Sequence, residues 1–445
     1  MMRRSMTLIL GGLFALTVWT GAAFAQHSGA AIKDPDAIER ELENEDGNRN
    51  IWEKYTDFLD SELVKISEMD LYGVTSQLPQ GYLSVKWDWG VIRAKNRYDD
   101  KRHLGPVMPP IQFKDGTGKE LISIDMGLSG HGGGHTFQMS YGIIDELDWY
   151  IELPFTYMTV SFDPQIKAMD PAIGKLLGVN DVTKYTGYDF FKKTLPMLGR
   201  ATPKSKAAGE WLLGDINTGF SWNVFRNERL SVALTPRVFL PTGHVPDPNN
   251  NLTYGTGPEI ETGIGGWAVG FTQGYDVRLF KYSFWLDVIF STEFGAAYGF
   301  EQNRDYPTNF LKPDDKAVML DPASFPDLSN LEGNFQYTPG WSVNWTAQLN
   351  IQLAVLGLGI GYGMQHSQEP ELKGDPAFVQ MARSLQLLGQ QSLEAVQLAA
   401  SLSLLPLYIP ADISFQWTKV IDGYNAIVYD NFYQLTVKAY IPIWR

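Results

Sequence analysis

Apolar side chains alternate with smaller or polar residues along most of the chain after about residue 80. In one run, Leu230, Val232 and Leu234 are separated by Ser231 and Ala233. The same alternation recurs in four later runs, which begin at Phe284, Val343, Ile413 and Tyr433. Because successive side chains of a strand point to opposite faces, this pattern predicts an all-β fold whose strands have one apolar face.

Two architectures have strands of this kind: a soluble antiparallel sheet with its apolar face inward, and a membrane barrel with that face toward lipid. The connections distinguish them, because short and long connections alternate along the chain. The long ones are residues 163–209, 241–257, 300–335 and 367–391. Outer-membrane barrels have short periplasmic turns and long outer loops. We therefore predict a transmembrane antiparallel up-and-down β-barrel.

The number of strands follows from counting the alternating runs back from the C-terminus. Twelve strands are predicted, near residues 120–129, 134–143, 147–161, 211–225, 230–241, 257–279, 282–299, 339–351, 354–366, 394–404, 411–421 and 429–443. The run from Leu83 to Trp89 would be a thirteenth, although bacterial single-chain barrels have even numbers. It is either a strand with an unrecognised partner or part of the preceding segment folded inside. The prediction is therefore about 12 strands, within a range of 12–14.

The N-terminal residues predict export. Arg3 and Arg4 precede an apolar run, and Ala23-Phe24-Ala25 is a small-residue cleavage site, so residues 1–25 are a predicted signal peptide. Residues 26–78 are acidic and carry apolar residues near the helical period. They predict a helical leader that serves as a periplasmic arm or plug. The barrel is then expected over residues 79–445, in the outer membrane of a Gram-negative bacterium.

The composition excludes several function classes. The 445 residues include 36 basic and 50 acidic ones, for a formal charge of −14, which argues against a generic nucleic-acid binder. The absence of cysteine excludes disulfides and thiol catalysis. His131 and His135 lack the carboxylates that would make a convincing metal site. We predict no enzyme activity, no cofactor and no metal.

Several short motifs resemble those of a known family when taken in order. They are Tyr141-Gly142-Ile143, Glu152-Leu153-Pro154, Leu213-Gly214-Asp215-Ile216, Leu240-Pro241-Thr242-Gly243 and Tyr254-Gly255-Thr256-Gly257. This set resembles the outer-membrane β-barrel family labelled meta-pathway of phenol degradation, which is distantly similar to the long-chain fatty-acid and toluene uptake channels. The resemblance covers roughly residues 120–300 well and the C-terminal strands loosely.

The resemblance implies a channel for facilitated diffusion of small hydrophobic or aromatic compounds. It carries over no catalytic residues. Two alternatives remain open: a general or ion-selective porin, and a non-transporting anchor that holds a partner protein. The expected partners are outer-membrane lipid, the solute and the outer-membrane assembly machinery, but not nucleic acid.

Candidate lumen residues come from the polar phase of the strands, because lumen-facing side chains set the selectivity of a barrel. They are Glu152, Asp215, Asn217, Arg237, Asp287, Glu293, Asn344 and Gln348. The charged members among them could instead neutralise one another across a closed interior.

The connection over residues 163–209 is too apolar to stay in water. We expect it to pack over or into the barrel mouth, or around a small core of its own. Its candidate solute-binding residues are Leu176, Leu177, Tyr188, Phe190 and Phe191.

Overall fold

The computed structural model describes most of the chain from residue 73 to 443. Within that range it omits residues 109, 115–118, 172–180, 182–183, 203–205, 208–209, 253, 255–256, 283–284, 315–325, 386–388 and 406–408. The predicted signal peptide and residues 26–72 of the predicted helical leader therefore lie outside the described residues. Residues 73–78, the described end of that leader, contain no helix.

Twelve long antiparallel strands form a closed barrel. They are β1 (Tyr82–Tyr98), β2 (Ser129–Ile144), β3 (Leu147–Ser161), β4 (Ile216–Arg226), β5 (Leu230–Leu240), β6 (Ala268–Tyr282), β7 (Leu286–Gly299), β8 (Gly340–Leu353), β9 (Leu356–Ser367), β10 (Gln391–Ser403), β11 (Ala411–Tyr424) and β12 (Phe432–Pro442). Each strand is hydrogen-bonded to the next, and β12 pairs with β1 over ten residue pairs, from Tyr82↔Pro442 to Val91↔Tyr433. The predicted all-β barrel of about twelve strands is confirmed.

One of the twelve predicted barrel strands is wrong, and the possible thirteenth strand belongs to the barrel. The run from Leu83 to Trp89 lies in β1, between β12 and β2. The segment predicted at 120–129 instead forms Glu120–Asp125, in a separate three-stranded sheet. Its four central residues are all buried, so it has no face for lipid. Burial on both faces, from Leu121 to Ile124, distinguishes this strand from a barrel strand, which has one face toward lipid.

The connections sort by length onto the two ends of the barrel. At one end they are residues 145–146, 227–229, 283–285, 354–355 and 404–410, and at the other 99–128, 162–215, 241–267, 300–339, 368–390 and 425–431. The predicted alternation is confirmed with one more long connection, 99–128, and one exception: the outer connection 425–431 is no longer than the periplasmic connection 404–410. In outer-membrane barrels the short-turn end is periplasmic, so we call the two ends periplasmic and outer.

The outward-facing side chains of the strands are apolar. Large exposed examples include Trp89, Val91, Phe137, Phe271, Phe294, Ile360, Phe415 and Ile441. Aromatic residues mark both rims, with Tyr282 and Trp285 at the periplasmic end and Trp267 and Trp341 at the outer end. Such aromatic girdles flank the apolar band of membrane barrels. The exterior is that of an outer-membrane barrel.

Smaller elements cover the outer end. One sheet contains Ile111–Lys114, Glu120–Asp125 and Gln165–Met169, and a second contains Gln302–Asp305, Asn334–Thr338 and Glu371–Lys373. Four short strands extend the barrel wall: Leu104–Pro106 and Ile427–Tyr429 pair with β1, and Lys206–Ala207 and Trp211–Leu213 pair with β3. The helical segments are Gly187–Asp189, Phe190–Thr194, Leu195–Met197 and Pro376–Leu385. None of the helices in the described segments is long and apolar enough to cross a membrane.

Candidate functional site

The inward-facing positions of the strands line a lumen with two different walls. The charged wall consists of β11, β12 and β1 to β7. Its described lumen-facing positions carry acids and bases in about equal number: Asp88, Asp148, Glu152, Asp276, Asp287, Glu293, Asp412, Lys86, Arg97, Arg226, Arg237, Arg278, Lys281 and Lys438. The charges of the two signs therefore largely offset each other on this wall.

Contacts within the charged wall are close. Lys86 Nζ lies 2.9 Å from an Asp88 oxygen, and Thr436 Oγ1 donates to Asp88 at 2.5 Å. Near the periplasmic rim, Arg278 Nε lies 3.1 Å from Asp287. These side chains neutralise one another in pairs, as expected for charges removed from bulk water.

Arg237 is the central cation of the charged wall. It donates to the Thr272 hydroxyl and interacts electrostatically with both Glu152 and Glu293. One cation therefore serves two carboxylates on neighbouring parts of the wall.

The amide wall consists of β8, β9 and β10 and carries no charged side chain at its described lumen-facing positions. β8 presents Ser342, Asn344, Thr346, Gln348, Asn350 and Gln352. β9 presents glycine at every second position from 357 to 363, and β10 presents mainly alanine, serine and Gln397. Asn344, Thr346, Gln348 and Asn350 are partly exposed, although they point inward. The lumen is therefore more open along β8, whereas Gln397 and Ser401 of β10 are buried.

A segment inside the periplasmic end covers the charged wall. Residues 73–79, which we call the strap, run across β3, β4 and β6. Val74 N and Thr75 N donate to Asp276 at 3.2 and 2.8 Å, and Thr75 Oγ1 donates at 2.5 Å. Leu78 N donates to both oxygens of Asp148, at 3.0 and 2.9 Å. Two buried carboxylates thus hold the backbone of the strap.

Amide side chains complete the attachment of the strap. Asn223 Nδ2 donates to the Thr75 carbonyl at 3.1 Å, and Gln77 Nε2 donates to Ser221 Oγ at 2.7 Å. Thr75, Gln77 and Leu78 are at most 4% exposed. The strap is therefore packed inside the barrel and narrows its periplasmic end.

The outer mouth above the charged wall is filled by apolar side chains. Ile92 of β1, Val160 of β3 and Phe432 of β12 point inward and join one buried cluster with Phe190 and Phe191. We call this cluster the apolar cap; its other members include Val107, Met108, Leu121, Ile122, Ile124, Tyr185 and Leu198. The cap removes water from the outer part of the lumen on this side.

A second buried cluster lies under the other outer sheet. It contains Tyr254, Tyr306, Phe310, Leu328, Phe335, Leu372, Phe378 and Met381. Arg304 and Glu261 form a buried ion pair beside it. Burial lowers the pKa of Arg304, but Glu261 and the neighbouring Tyr254 and Tyr337 raise it more, so the net shift is upward. Arg304 therefore stays charged and locks these outer loops together.

Seven of the eight predicted lumen residues lie at lumen-facing positions. Asp215 differs, because it precedes β4 at the outer end. Its Oδ1 accepts from Gly243 N at 2.7 Å and its Oδ2 from Ile264 N at 2.5 Å. Burial raises the pKa of this carboxyl against the lowering effect of those backbone donors. Asp215 therefore holds two loop turns in place.

The predicted loop residues separate into three groups. Phe190 and Phe191 are 1% and 2% exposed within the apolar cap, whereas Tyr188 is 45% exposed. Leu176 and Leu177 lie outside the described residues. The apolar loop thus contributes two aromatic rings to the outer mouth.

Sequence reasoning missed the strap and most of the amide wall. The strap has no periodic pattern, and its partners Asp148 and Asp276 are distant in sequence. A signal for the amide wall was present, because glycine occupies alternate positions from Gly357 to Gly363. Such a row leaves one face of a strand without side chains.

Comparisons with known proteins give an architectural likeness. No family model matches the chain, and no curated protein matches it. Similar solved structures include an outer membrane channel from Pseudomonas putida F1, with a TM-score of 0.47 and 11% identity over 84% of this chain and 100% of that one. A monoaromatic hydrocarbon channel has a TM-score of 0.29 and 9% identity, over 82% of this chain and 90% of that one. The NanC porin has a TM-score of 0.31 and 7% identity, over 80% of this chain and 98% of that one. These values assign no solute and no residue role to this chain.

Proposed function

We propose that this protein is an outer-membrane channel of a Gram-negative bacterium that passes small hydrophobic or aromatic compounds by facilitated diffusion. The apolar cap carries this proposal. A hydrated ion loses its water on entering such a mouth, whereas a hydrophobic solute gains contact with Met158, Leu393 and Val420, which are partly buried against the cap. The surrounding lipid and the assembly machinery that inserts such barrels are its expected partners, and no enzymatic role is proposed.

The obstruction of both ends supports a selective channel over a wide pore. The apolar cap fills part of the outer mouth, and the strap narrows the periplasmic end. A general porin needs an aqueous channel that is continuous from end to end. We propose that the strap is the lumenal end of a leader, residues 26–78, that acts as a plug.

A cation-selective pore is the second candidate. Carboxylates such as Glu152 and Glu293 face the lumen on the charged wall, and carboxylates that line a pore attract cations. This candidate requires the strap to leave the periplasmic end often enough for current to flow.

Planar-bilayer recording combined with ligand binding tests the proposal. We expect low conductance, together with saturable binding of toluene to the protein in lipid nanodiscs, measured by ligand-observed NMR against empty nanodiscs. Phe191→Ala should weaken this binding, while Tyr188→Ala, on the same loop but exposed, should not. A large steady conductance without toluene binding would contradict the proposal and favour a pore.

A further inference from the structure

Among the described side chains, six polar atoms on the amide wall are buried and make no hydrogen bond: Asn344 Nδ2, Asn350 Oδ1, Gln352 Oε1, Gln397 Nε2, Ser401 Oγ and Ser403 Oγ. Three of these atoms belong to Asn350, Gln397 and Ser401. Gln397 and Ser401 are only 8% and 9% exposed. A buried polar group that lacks a partner costs free energy, so such a group at a lumen surface indicates a place where a solute bonds.

The three groups lie close together on neighbouring strands. Gln397 of β10 is level with Gly361 of β9, and Asn350 of β8 is level with Gly359, one step nearer the periplasm. Ser401 is level with Gly357, two steps nearer the periplasm than Gln397. Positions two residues apart on a strand are separated by about 7 Å.

The glycines of β9 let neighbouring amide side chains approach the strand. A Cβ on Gly361 would lie 3.2 Å from Gln348 Cβ and 3.4 Å from Gln397 Oε1. The Gln348 and Gln397 side chains therefore occupy the space over the Gly361 backbone.

The chemistry of the three groups defines the ligand. Gln397 Nε2 needs an acceptor, Asn350 Oδ1 needs a donor, and the Ser401 hydroxyl takes either. β8, β9 and β10 supply no charge to pair with an ion, and burying an unpaired charge is costly. An uncharged solute with both a donor and an acceptor satisfies this wall.

We infer that the amide wall is a binding site for small uncharged solutes that carry an amide or hydroxyl group on an apolar body, held by Asn350, Gln397 and Ser401. This inference rests on the proposed channel function and specifies its solute class. The apolar body suits the apolar cap, and the polar group suits the amide wall.

Four probes of one shape test this inference. Benzamide is uncharged and has a donor and an acceptor, benzoate is its anion analogue, benzamidinium its cation analogue, and α-methylstyrene its apolar analogue. We expect benzamide to bind the full protein in nanodiscs more tightly than benzoate or α-methylstyrene. Asn350→Leu and Gln397→Met, which preserve shape, should each weaken benzamide binding about fivefold, the value of one uncharged hydrogen bond.

A matched control separates the amide wall from the charged wall. Gln416→Met removes a buried amide of β11, which donates to Thr418 at 3.1 Å, and should leave benzamide binding unchanged. Heat-modifiable gel mobility confirms that each variant is folded. Benzamide binding that is unaffected by both Asn350→Leu and Gln397→Met overturns the inference, as does tighter binding of benzamidinium. If α-methylstyrene binds and benzamide does not, the inference fails while the channel proposal stands; if none of the probes binds, both fail.

Discussion

The two walls of the lumen are built from the same kind of antiparallel strand, but they differ in how far their side chains are covered. On the charged wall, Lys86, Asp88, Asp148 and Asp276 are each at most 9% exposed, since they bind one another or the strap. On the amide wall, the lumen-facing side chains of β8 are mostly partly exposed and look across glycines. The part of the charged wall under the strap is therefore more covered than β8, although Gln397 and Ser401 of β10 are as buried as these charged residues. Ionic and backbone hydrogen bonds fix the strap, and the uncharged side is left for a solute.

This difference has a physical basis in what each wall faces. Carboxylates in a narrow lumen need cations or N–H donors close by, so the charged wall binds the backbone N–H groups of the strap. Neutral amides carry a smaller desolvation cost, and they tolerate an open, wetted surface. Placing all the charge on one side thus keeps an unobstructed surface on the other.

The largest expected effect comes from adding a methyl group to each wall. A Cβ on Gly132 of β2 would overlap the carbonyl oxygen of Tyr157 on the neighbouring strand, which cannot move away. Gly132→Ala should therefore destabilise the barrel by about 3 kcal/mol. Gly361→Ala on the amide wall, with 3.2 Å to its nearest neighbour, should cost less than about 1 kcal/mol.

Urea unfolding of both glycine variants, followed by tryptophan fluorescence, measures this difference. Equal losses of unfolding free energy would show that the two walls are packed equally tightly, and the comparison would break down.

The next largest expected effect comes from releasing the strap from the charged wall. Asp276→Ala removes the acceptor of two backbone N–H groups and one hydroxyl of the strap. Each bond to a charged group contributes about 1.5–3 kcal/mol, so the strap should detach from this anchor and the conductance of the barrel should rise. Glu293→Gln changes a lumen carboxylate outside the strap contacts and is the control. Planar-bilayer currents identical to wild type in Asp276→Ala would mean that the strap does not obstruct the lumen.

The smallest expected effect comes from removing one positive charge from the charged wall. Arg237→Met removes the cation shared by Glu152 and Glu293. One extra negative charge about 10 Å from an ion in water contributes about 0.4 kcal/mol, which is about a twofold change. The permeability of potassium relative to chloride, measured from the reversal potential in a KCl gradient, should rise by that factor. A shift toward chloride would contradict the assignment of Arg237 to the lumen.

Much of this architecture could be predicted from the sequence because lipid imposes it residue by residue. The alternation around Leu230 and Val343 and the sorting of loop lengths follow from strand geometry and topology alone. The strap could not be predicted, because Thr75 and Leu78 are held by carboxylates 201 and 70 residues away in sequence. Residues 120–129 were predicted as a barrel strand, but Glu120–Asp125 lies in a separate sheet and is buried on both faces, which the short local pattern does not reveal.

The candidate site was predictable only in part for a related reason. The phase of a strand tells which side chains face inward, and it placed Asn344 and Gln348 there. It does not tell which inward-facing side chains another segment covers. That depends on the strap and the apolar cap, whose contacts join distant parts of the chain.

Cysteine labelling tests the central claim, that the lumen is more open along β8 of the amide wall than along the covered part of the charged wall. The natural chain has no cysteine, so Asn350→Cys on β8 and Thr136→Cys on β2 each introduce a single thiol. A water-soluble methanethiosulfonate reagent applied to the folded protein in nanodiscs should modify the first much faster, because Thr136 is 6% exposed and Asn350 is partly exposed. Equal rates, or faster modification at position 136, would contradict the account.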